Sequence, residues 1–241
     1  MLTVSKLSKR FGGFLAVNQL SFDVREGEIL GLIGPNGSGK STTFNVIAGM
    51  LRPSGGSIRF LGAELAGLPA HRICCSGIAR TFQIPRPFRK LSLIENVTLA
   101  AYYGASGSIT RAHARDRAEE VLALVGLPVA ASAQTDGLGA AALKKLELAR
   151  ALAAKPKLLL ADESLGGLDA SEMGHAAKLL ETIRSRMNVT IVWVEHIMGV
   201  LMSVVDRVIV LDHGEKIFEG LPEDAVRDAR VIEVYLGQQR T

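Results

Sequence analysis

The segment Gly34-Pro35-Asn36-Gly37-Ser38-Gly39-Lys40-Ser41-Thr42 separates an apolar run, Ile29-Leu30-Gly31-Leu32-Ile33, from a stretch of helical character, Thr43-Phe44-Asn45-Val46-Ile47-Ala48. A buried strand that breaks into a glycine-rich loop and re-emerges as a helix points to a parallel α/β sheet. The loop fits G-x-x-x-x-G-K-[ST] in full, so its context and its residues agree. Its glycines let the backbone curl until successive N–H groups point inward at an anion. The following helix start adds roughly half a positive charge. Lys40 then reaches the β- and γ-phosphates of a nucleotide, and the Ser41 hydroxyl is a Mg²⁺ ligand. The plainer reading, a glycine-rich turn carrying a surface lysine, leaves the flanking strand and helix unexplained. The loop predicts a binder of nucleoside triphosphates.

Composition narrows the class. The 241 residues suffice for a sizeable core, and 48% are apolar, which excludes a disordered chain. The longest uncharged segments, residues 96–110 and 121–135, are interrupted by Gly104, Gly126 and Pro128. They fall short of the roughly eighteen residues that cross a bilayer. The opening Met1-Leu2-Thr3-Val4-Ser5-Lys6 lacks a signal-peptide apolar region. The two cysteines, Cys74 and Cys75, are adjacent, so no disulfide framework is expected. These features point to the cytosol. A net charge of +4 would allow contact with polyanions. However, the densest cluster, residues 111–120, mixes both signs and reads as a solvated helix face, so no nucleic acid partner is expected.

Along the chain, Leu2 and Val4, then Leu20, Phe22 and Val24, alternate like strands around a turn at Gly12-Gly13, and Ser57-Ile58-Arg59-Phe60 adds another. Together they predict an antiparallel sheet beside the nucleotide core. From residue 84 to 150 the pattern is helical: residues 118–125 are amphipathic and stop at Gly126-Leu127-Pro128, and Leu143, Leu146, Leu148 and Ala149 share a face. Strand character returns at residues 158–161, 189–194 and 208–211, with helical stretches between, as in βαβ units. The predicted fold class is α/β: a P-loop NTPase core with a mainly parallel sheet, an antiparallel β subdomain and a helical subdomain. A short C-terminal helix over residues 226–236 has no role assigned from its sequence.

The run Leu158-Leu159-Leu160-Ala161-Asp162-Glu163 ends an apolar strand in two carboxylates, at the edge where ligands sit in open α/β sheets. There Asp162 suits Mg²⁺, through water, and Glu163 suits orienting or deprotonating the attacking water. A strand ending in Asp-Glu is weak evidence alone and strong beside a complete P-loop. His196 follows the next strand-like run and could face the same cleft as a donor to the γ-phosphate; a structural histidine is the default. Gln83 closes Ala79-Arg80-Thr81-Phe82-Gln83 at the junction with the helical segment. Its amide could ligate Mg²⁺ or hold the water, although a surface glutamine is the simpler reading.

In this order, these elements resemble the ATP-binding subunit of an ABC transporter over essentially the whole chain. The narrower resemblance is to subunits serving branched-chain amino acid uptake. It is carried by Arg10-Phe11-Gly12-Gly13 with Ala16-Val17-Asn18, residues 67–73 and 77–83, Ile94-Glu95-Asn96 and the closing Tyr235-Leu236-Gly237. The resemblance implies that Phe11 stacks on adenine and that Gln83 couples Mg²⁺ to the membrane partner. It makes Asp162 the metal-associated aspartate, Glu163 the catalytic glutamate and His196 the switch histidine. Asp169 falls in a loop communicating across a dimer; read alone, it is a helix N-cap. It further implies one ATPase domain over residues 1–241. The core and β subdomain would come from 1–83 and 151–241, and the helical subdomain from 84–150.

The chain departs from the family at the signature, usually close to Leu-Ser-Gly-Gly-Gln, where it has Leu138-Gly139-Ala140-Ala141-Ala142. Ser164 also replaces the usual proline. In the family the signature of one subunit faces the P-loop of another across ATP. The missing serine hydroxyl forfeits a hydrogen bond to a charged group, about 1.5–3 kcal/mol. The added methyls would cost more if the loop needed positive φ. A homodimer would then have impaired sites, which favours a heterodimer with an intact-signature partner. The resemblance implies ATP and Mg²⁺ as cofactors, and transmembrane permease subunits and a second ABC ATPase subunit as partners, with a solute-binding protein involved indirectly. It places the chain peripherally on the cytoplasmic face of the cell membrane. The leading function is an ATPase powering an importer. A nucleotide-binding regulatory clamp with little hydrolysis is the alternative. A soluble ABC ATPase of repair or translation is disfavoured, since paired cassettes and long coiled-coil insertions are lacking.

Overall fold

The central strands of the main sheet are buried at nearly every position because both faces of the sheet are covered. The computed structural model describes residues 1–104, 107–162, 170–195 and 198–236; of 170–173, 175, 176, 198 and 236 only the backbone is described. The chain opens with a hairpin, β1 (Leu2–Phe11) and β2 (Phe14–Val24), turning at Gly12-Gly13. It continues through β3 (Ile29–Ile33), α1 (Lys40–Ile47), β4 (Gly55–Phe60), β5 (Ala63–Glu64), α2 (Ala70–Cys75) and β6 (Ile78–Arg80). Next come α3 (Leu93–Gly104), α4 (Arg111–Leu124), α5 (Ala140–Ala153), β7 (Leu158–Asp162), α6 (Ala170–Met187) and β8 (Thr190–Val194). The chain closes with α7 (Met198–Val204), β9 (Arg207–Asp212), β10 (Glu215–Gly220), α8 (Pro222–Ala225) and α9 (Ala229–Leu236).

Two sheets form. A four-stranded antiparallel sheet has the order β2-β1-β4-β5, and a six-stranded sheet has the order β10-β9-β3-β8-β7-β6. In the latter, β9, β3, β8, β7 and β6 run parallel, and β10 returns antiparallel along β9. The period-2 alternation of side chains divides its strands between two cores. Ile29, Ile33, Leu159, Ala161, Ile191, Trp193, Val208 and Val210 join the core shared with α3, α4, α5 and α6. Leu30, Leu32, Leu158, Leu160, Val192, Val194, Ile209 and Leu211 join the core shared with α1 and the antiparallel sheet. Parallel strands covered on both sides read as continuous apolar runs. The α/β class with a mainly parallel sheet, an antiparallel β portion and a helical portion is therefore the observed architecture.

Several boundaries differ from the sequence reading. The helical pattern expected from residue 84 begins only at Leu93, because Pro85 and Pro87 remove backbone donors and clash with a helical turn. The start is fixed by Ser92 and Glu95. The Ser92 N–H donates to Glu95 Oε2 at 2.8 Å, and the Glu95 N–H donates to Ser92 Oγ at 3.3 Å, a capping box. The Glu95 carboxyl is held below its ordinary pKa first by the Ser92 hydroxyl, which also donates to Oε2 at 2.8 Å, and then by the Ser92 N–H. The C-terminal helix expected over 226–236 begins at Ala229 as α9, and α2, β5, β6, β10 and α8 were not anticipated. Among the described residues, no helix is long and apolar enough to cross a membrane.

Candidate functional site

Strand β3 delivers Gly34 into a space that admits no side chain. A Cβ there would lie 2.1 Å from the Leu211 carbonyl oxygen of β9 and 2.6 Å from Ser38 Oγ, and φ is +147°. Gly39 is similarly constrained: φ is +102°, and a Cβ would approach the Ala16 carbonyl oxygen of β2 to 2.7 Å. The loop is tied by Ser38 N–H to the Pro35 carbonyl at 3.2 Å and by Gly214 N–H to the Ser38 carbonyl at 3.1 Å. Asn36 and Gly37 lie exposed at its crest. Helix α1 starts at Lys40, three residues earlier than the sequence pattern suggested, with Gly39 as N-cap. Its N-terminus makes no side-chain capping bond and has no acidic residue in the first turn, leaving amides aimed at the concavity.

Lys40 is 5% exposed and folds back over the loop. Its ammonium donates to the Gly34 carbonyl at 2.7 Å, the Pro35 carbonyl at 2.8 Å and Ser38 Oγ at 3.5 Å. Ser41 is exposed and Thr42 half-buried beside it. Loop residues Asn36, Gly37, Ser38, Gly39, Lys40, Ser41 and Thr42 line a cavity of about 260 Å³, whose other wall is Phe11, Phe14 and Ala16. Phe11 pairs with Phe14 across the hairpin turn, and the Lys9 ammonium lies 5.0 Å from the Phe11 ring centroid. Phe14, 65% exposed, was missed in the sequence. Its signal was a large apolar residue next to a hairpin turn, at a position where solvation is the rule.

Asp162 ends β7 with its side chain 5% exposed. Its Oδ2 accepts from the Arg80 guanidinium at 2.6 Å, and its N–H donates to Thr81 Oγ1 at 3.1 Å. Oδ1 is buried without a hydrogen-bond partner. Arg80 was not singled out in the sequence, yet it links three elements. Besides Asp162, it donates to Asn45 Oδ1 of α1 at 2.6 Å, and its guanidinium lies over Phe44 and Phe82, 5.7 and 5.3 Å from the ring centroids. Asp162 is thereby joined to the helix that carries Lys40 and Ser41.

Gln83 is exposed in the connection from β6 to α3. Its neighbour Phe82 lines a groove of about 350 Å³ between α2, α3 and α5, with Cys74, Tyr103 and Arg150 among the other walls. Glu163, Ser164, Asp169, His196 and Gly237 lie outside the described residues. Residues 138–142 form the entry to α5, with Gly139 as N-cap at φ −67°. None of the five has positive φ, so the methyls of Ala140, Ala141 and Ala142 impose no backbone strain. The cost feared for them does not arise. As at α1, the α5 N-terminus has no side-chain capping bond and no acidic residue in its first turn.

Comparison with known proteins places this geometry in a lineage. The family described as ABC transporter matches residues 17–166, and the family described as branched-chain amino acid ATP-binding cassette transporter matches residues 215–240. The high-affinity branched-chain amino acid transport ATP-binding protein LivG of Salmonella typhimurium is 36% identical, over 99% of this chain and 98% of its own. The ADP conformation of an ABC transporter's ATP-binding cassette superposes with a TM-score of 0.86 at 25% identity, covering 98% of each chain. A dimeric cassette in a post-hydrolysis state, bound to ADP and Pi, gives a TM-score of 0.82 at 26% identity, covering 92% of this chain and 99% of its own. The chain belongs to the ABC transporter family as an ATP-binding cassette that hydrolyses ATP.

Proposed function

We propose that this cassette powers a membrane importer for branched-chain amino acids or a related small polar solute, from the cytoplasmic face of the membrane. The observation that carries the ATP chemistry is the cradle itself. It combines glycines that admit no side chain, an uncapped α1 N-terminus and a buried Lys40 held by loop carbonyls that a phosphate can replace. LivG is named for branched-chain amino acid transport, which supports the cargo class. The comparisons lend no support to the regulatory-clamp alternative.

In this reading adenine stacks on Phe11, with Phe14 beside it. The amides of residues 36–42 and the Lys40 ammonium hold the phosphates. Ser41, with an exposed hydroxyl, and Asp162, with a buried Oδ1 lacking a hydrogen bond, fit a magnesium ion, with Gln83 as a further ligand. Bound there, magnesium would neutralise charge on the β- and γ-phosphates. Glu163 orients and deprotonates the attacking water, and His196 donates to the γ-phosphate. The helical subdomain of residues 84–150 presents the groove beside Gln83 to transmembrane permease subunits, and a solute-binding protein acts only through them. A second ATPase subunit closes the site. With Gly139 where the family has serine, a heterodimer with an intact-signature partner gives one strong site.

Glu163→Gln tests the motor. With ATP and Mg²⁺ the variant should lose turnover and accumulate an ATP-bound dimer on size-exclusion chromatography. An unchanged elution profile with unchanged turnover would refute it. Vigorous turnover by the wild-type chain alone would remove the case for a heterodimer.

A further inference from the structure

Asp162 is fixed at the edge of the main sheet by two consecutive residues, Arg80 at the end of β6 and Thr81 after it. Its N–H donates to Thr81 Oγ1 at 3.1 Å, and its Oδ2 accepts from the Arg80 guanidinium at 2.6 Å. Little of either charged side chain reaches solvent. Oδ1 is buried without a hydrogen-bond partner, so with Oδ2 taken it is the oxygen left for a metal or for a water on one. The guanidinium is itself fastened. Its other terminal nitrogen donates to Asn45 Oδ1 at 2.6 Å, and its central carbon lies 5.7 and 5.3 Å from the ring centroids of Phe44 and Phe82. Phe44 is fully buried and stands next to Asn45 on α1, the helix that opens with Lys40 and Ser41. Arg80 thus braces Asp162 against the element that carries those two side chains.

A guanidinium in this place has two opposed effects on a divalent cation. By charge alone it repels the cation and cancels part of the carboxylate's pull, so its loss would tighten metal binding. By geometry it orients the carboxylate, and loss of such an outer partner weakens a metal site about 10–100-fold. A plain counter-ion needs no fastening of its own, whereas Arg80 has three contacts that do not involve Asp162 and that hold it in one geometry. We infer that the geometric effect wins, and that Arg80 is a positioning residue for Asp162, occupying Oδ2 so that Oδ1 is held ready for Mg²⁺ at a fixed place relative to α1.

This role rests on the reading of residues 34–42 as an ATP site with Mg²⁺ beside Asp162, and the test separates the two. Arg80→Lys keeps the charge and loses the planar fork that spans Asp162 and Asn45. Binding of a fluorescent, non-hydrolysable ATP analogue to the full chain is titrated in EDTA and again in saturating Mg²⁺. The EDTA affinity reads the phosphate cradle, and the affinity in Mg²⁺ divided by that in EDTA reads the metal. In Arg80→Lys the ratio should fall about tenfold, the low end of the range for a lost outer partner, while the EDTA affinity holds. Asn45→Ala leaves both charges and removes only the tether to α1, and its ratio should fall about two- to tenfold. Circular dichroism at the titration temperature establishes the fold of each variant, and Asn45→Ala decides alone if Arg80→Lys does not fold. A ratio equal to that of the wild type, or above it, in the deciding variant overturns the role while leaving the ATP site intact. An equal loss of affinity in both conditions gives that same unchanged ratio and marks a residue that is structural only. No binding by the wild-type protein in either condition would instead refute the ATP site itself.

Discussion

Removing the Arg80 guanidinium should destabilise the protein far more than removal of an ordinary surface charge. Arg80 and Asp162 are 8% and 5% exposed, and their contact at 2.6 Å is the only hydrogen bond to the Asp162 carboxylate among the described residues. In Arg80→Met both carboxylate oxygens would be buried without a partner. Breaking a buried pair in this way costs about 3–5 kcal/mol. Each kcal/mol moves the melting temperature of a chain of this size by about 2–4 °C, so the expected drop is roughly 6–20 °C. Arg80→Lys should fall between wild type and Met, since one ammonium cannot span Asp162 and Asn45 as the planar fork does. The diagnostic comparison is the double variant Arg80→Met with Asp162→Asn, which removes the orphaned charge. It should recover more than half of the loss. Melting by circular dichroism, without nucleotide or metal, reads all five proteins, the Asp162→Asn single variant included. A drop below about 3 °C in Arg80→Met would refute the argument. So would a double variant as unstable as the sum of the single ones.

Two further outcomes follow from the geometry. In Gly139→Ser a Cβ meets nothing within 4 Å and φ is −67°, so the melting temperature should hold. Turnover should rise by up to about ten- to hundredfold if the missing hydroxyl limits hydrolysis, and unchanged turnover shows that it does not. Cys75 is exposed, whereas Cys74 is half-buried with its thiol pKa raised, first by burial and then by the neighbouring Cys75. A disulfide reagent at pH 8 should therefore react in a fast and a slow phase, because the thiolate is the nucleophile. Cys75→Ser should abolish the fast phase; its persistence would show Cys74 to be the reactive thiol.

The fold was legible wherever burial is written as a run or a period. Ile29–Ile33, Leu158–Asp162 and Thr190–Val194 are buried throughout, and strands of that kind need no knowledge of their neighbours to be recognised. Residues 84–92 were misread for the opposite reason. Apolar Ile84 and Phe88 have helical spacing, but Pro85 and Pro87 override it, and the Ser92–Glu95 capping box was a local signal already present in the sequence. The strand β10 escaped because its side chains are exposed or half-buried, so neither alternation nor a run marks it.

The cradle at residues 34–42 was legible because its function is carried by backbone, and glycine spacing encodes backbone. What secures the cradle was not, since every fastening comes from afar. Leu211 leaves Gly34 no room for a side chain, Gly214 holds the Ser38 carbonyl, and Arg80 joins Asp162 to the helix of Lys40. The same chemistry extends outward. Glu147 and Arg150 of α5 are paired at 2.9 Å, Arg150 donates to the Arg86 carbonyl at 2.7 Å, and its guanidinium lies over Phe88. Arg86 in turn lies over Phe82, whose ring also meets Arg80. Contacts therefore run without a gap from the helix behind the altered signature, through the connection carrying Gln83, to Asp162. A one-dimensional pattern reports which residues are buried and not which buried residues meet. Arg80 was visible in the sequence only as the residue before Thr81; its importance lies in joining two ends of the site that the chain keeps far apart.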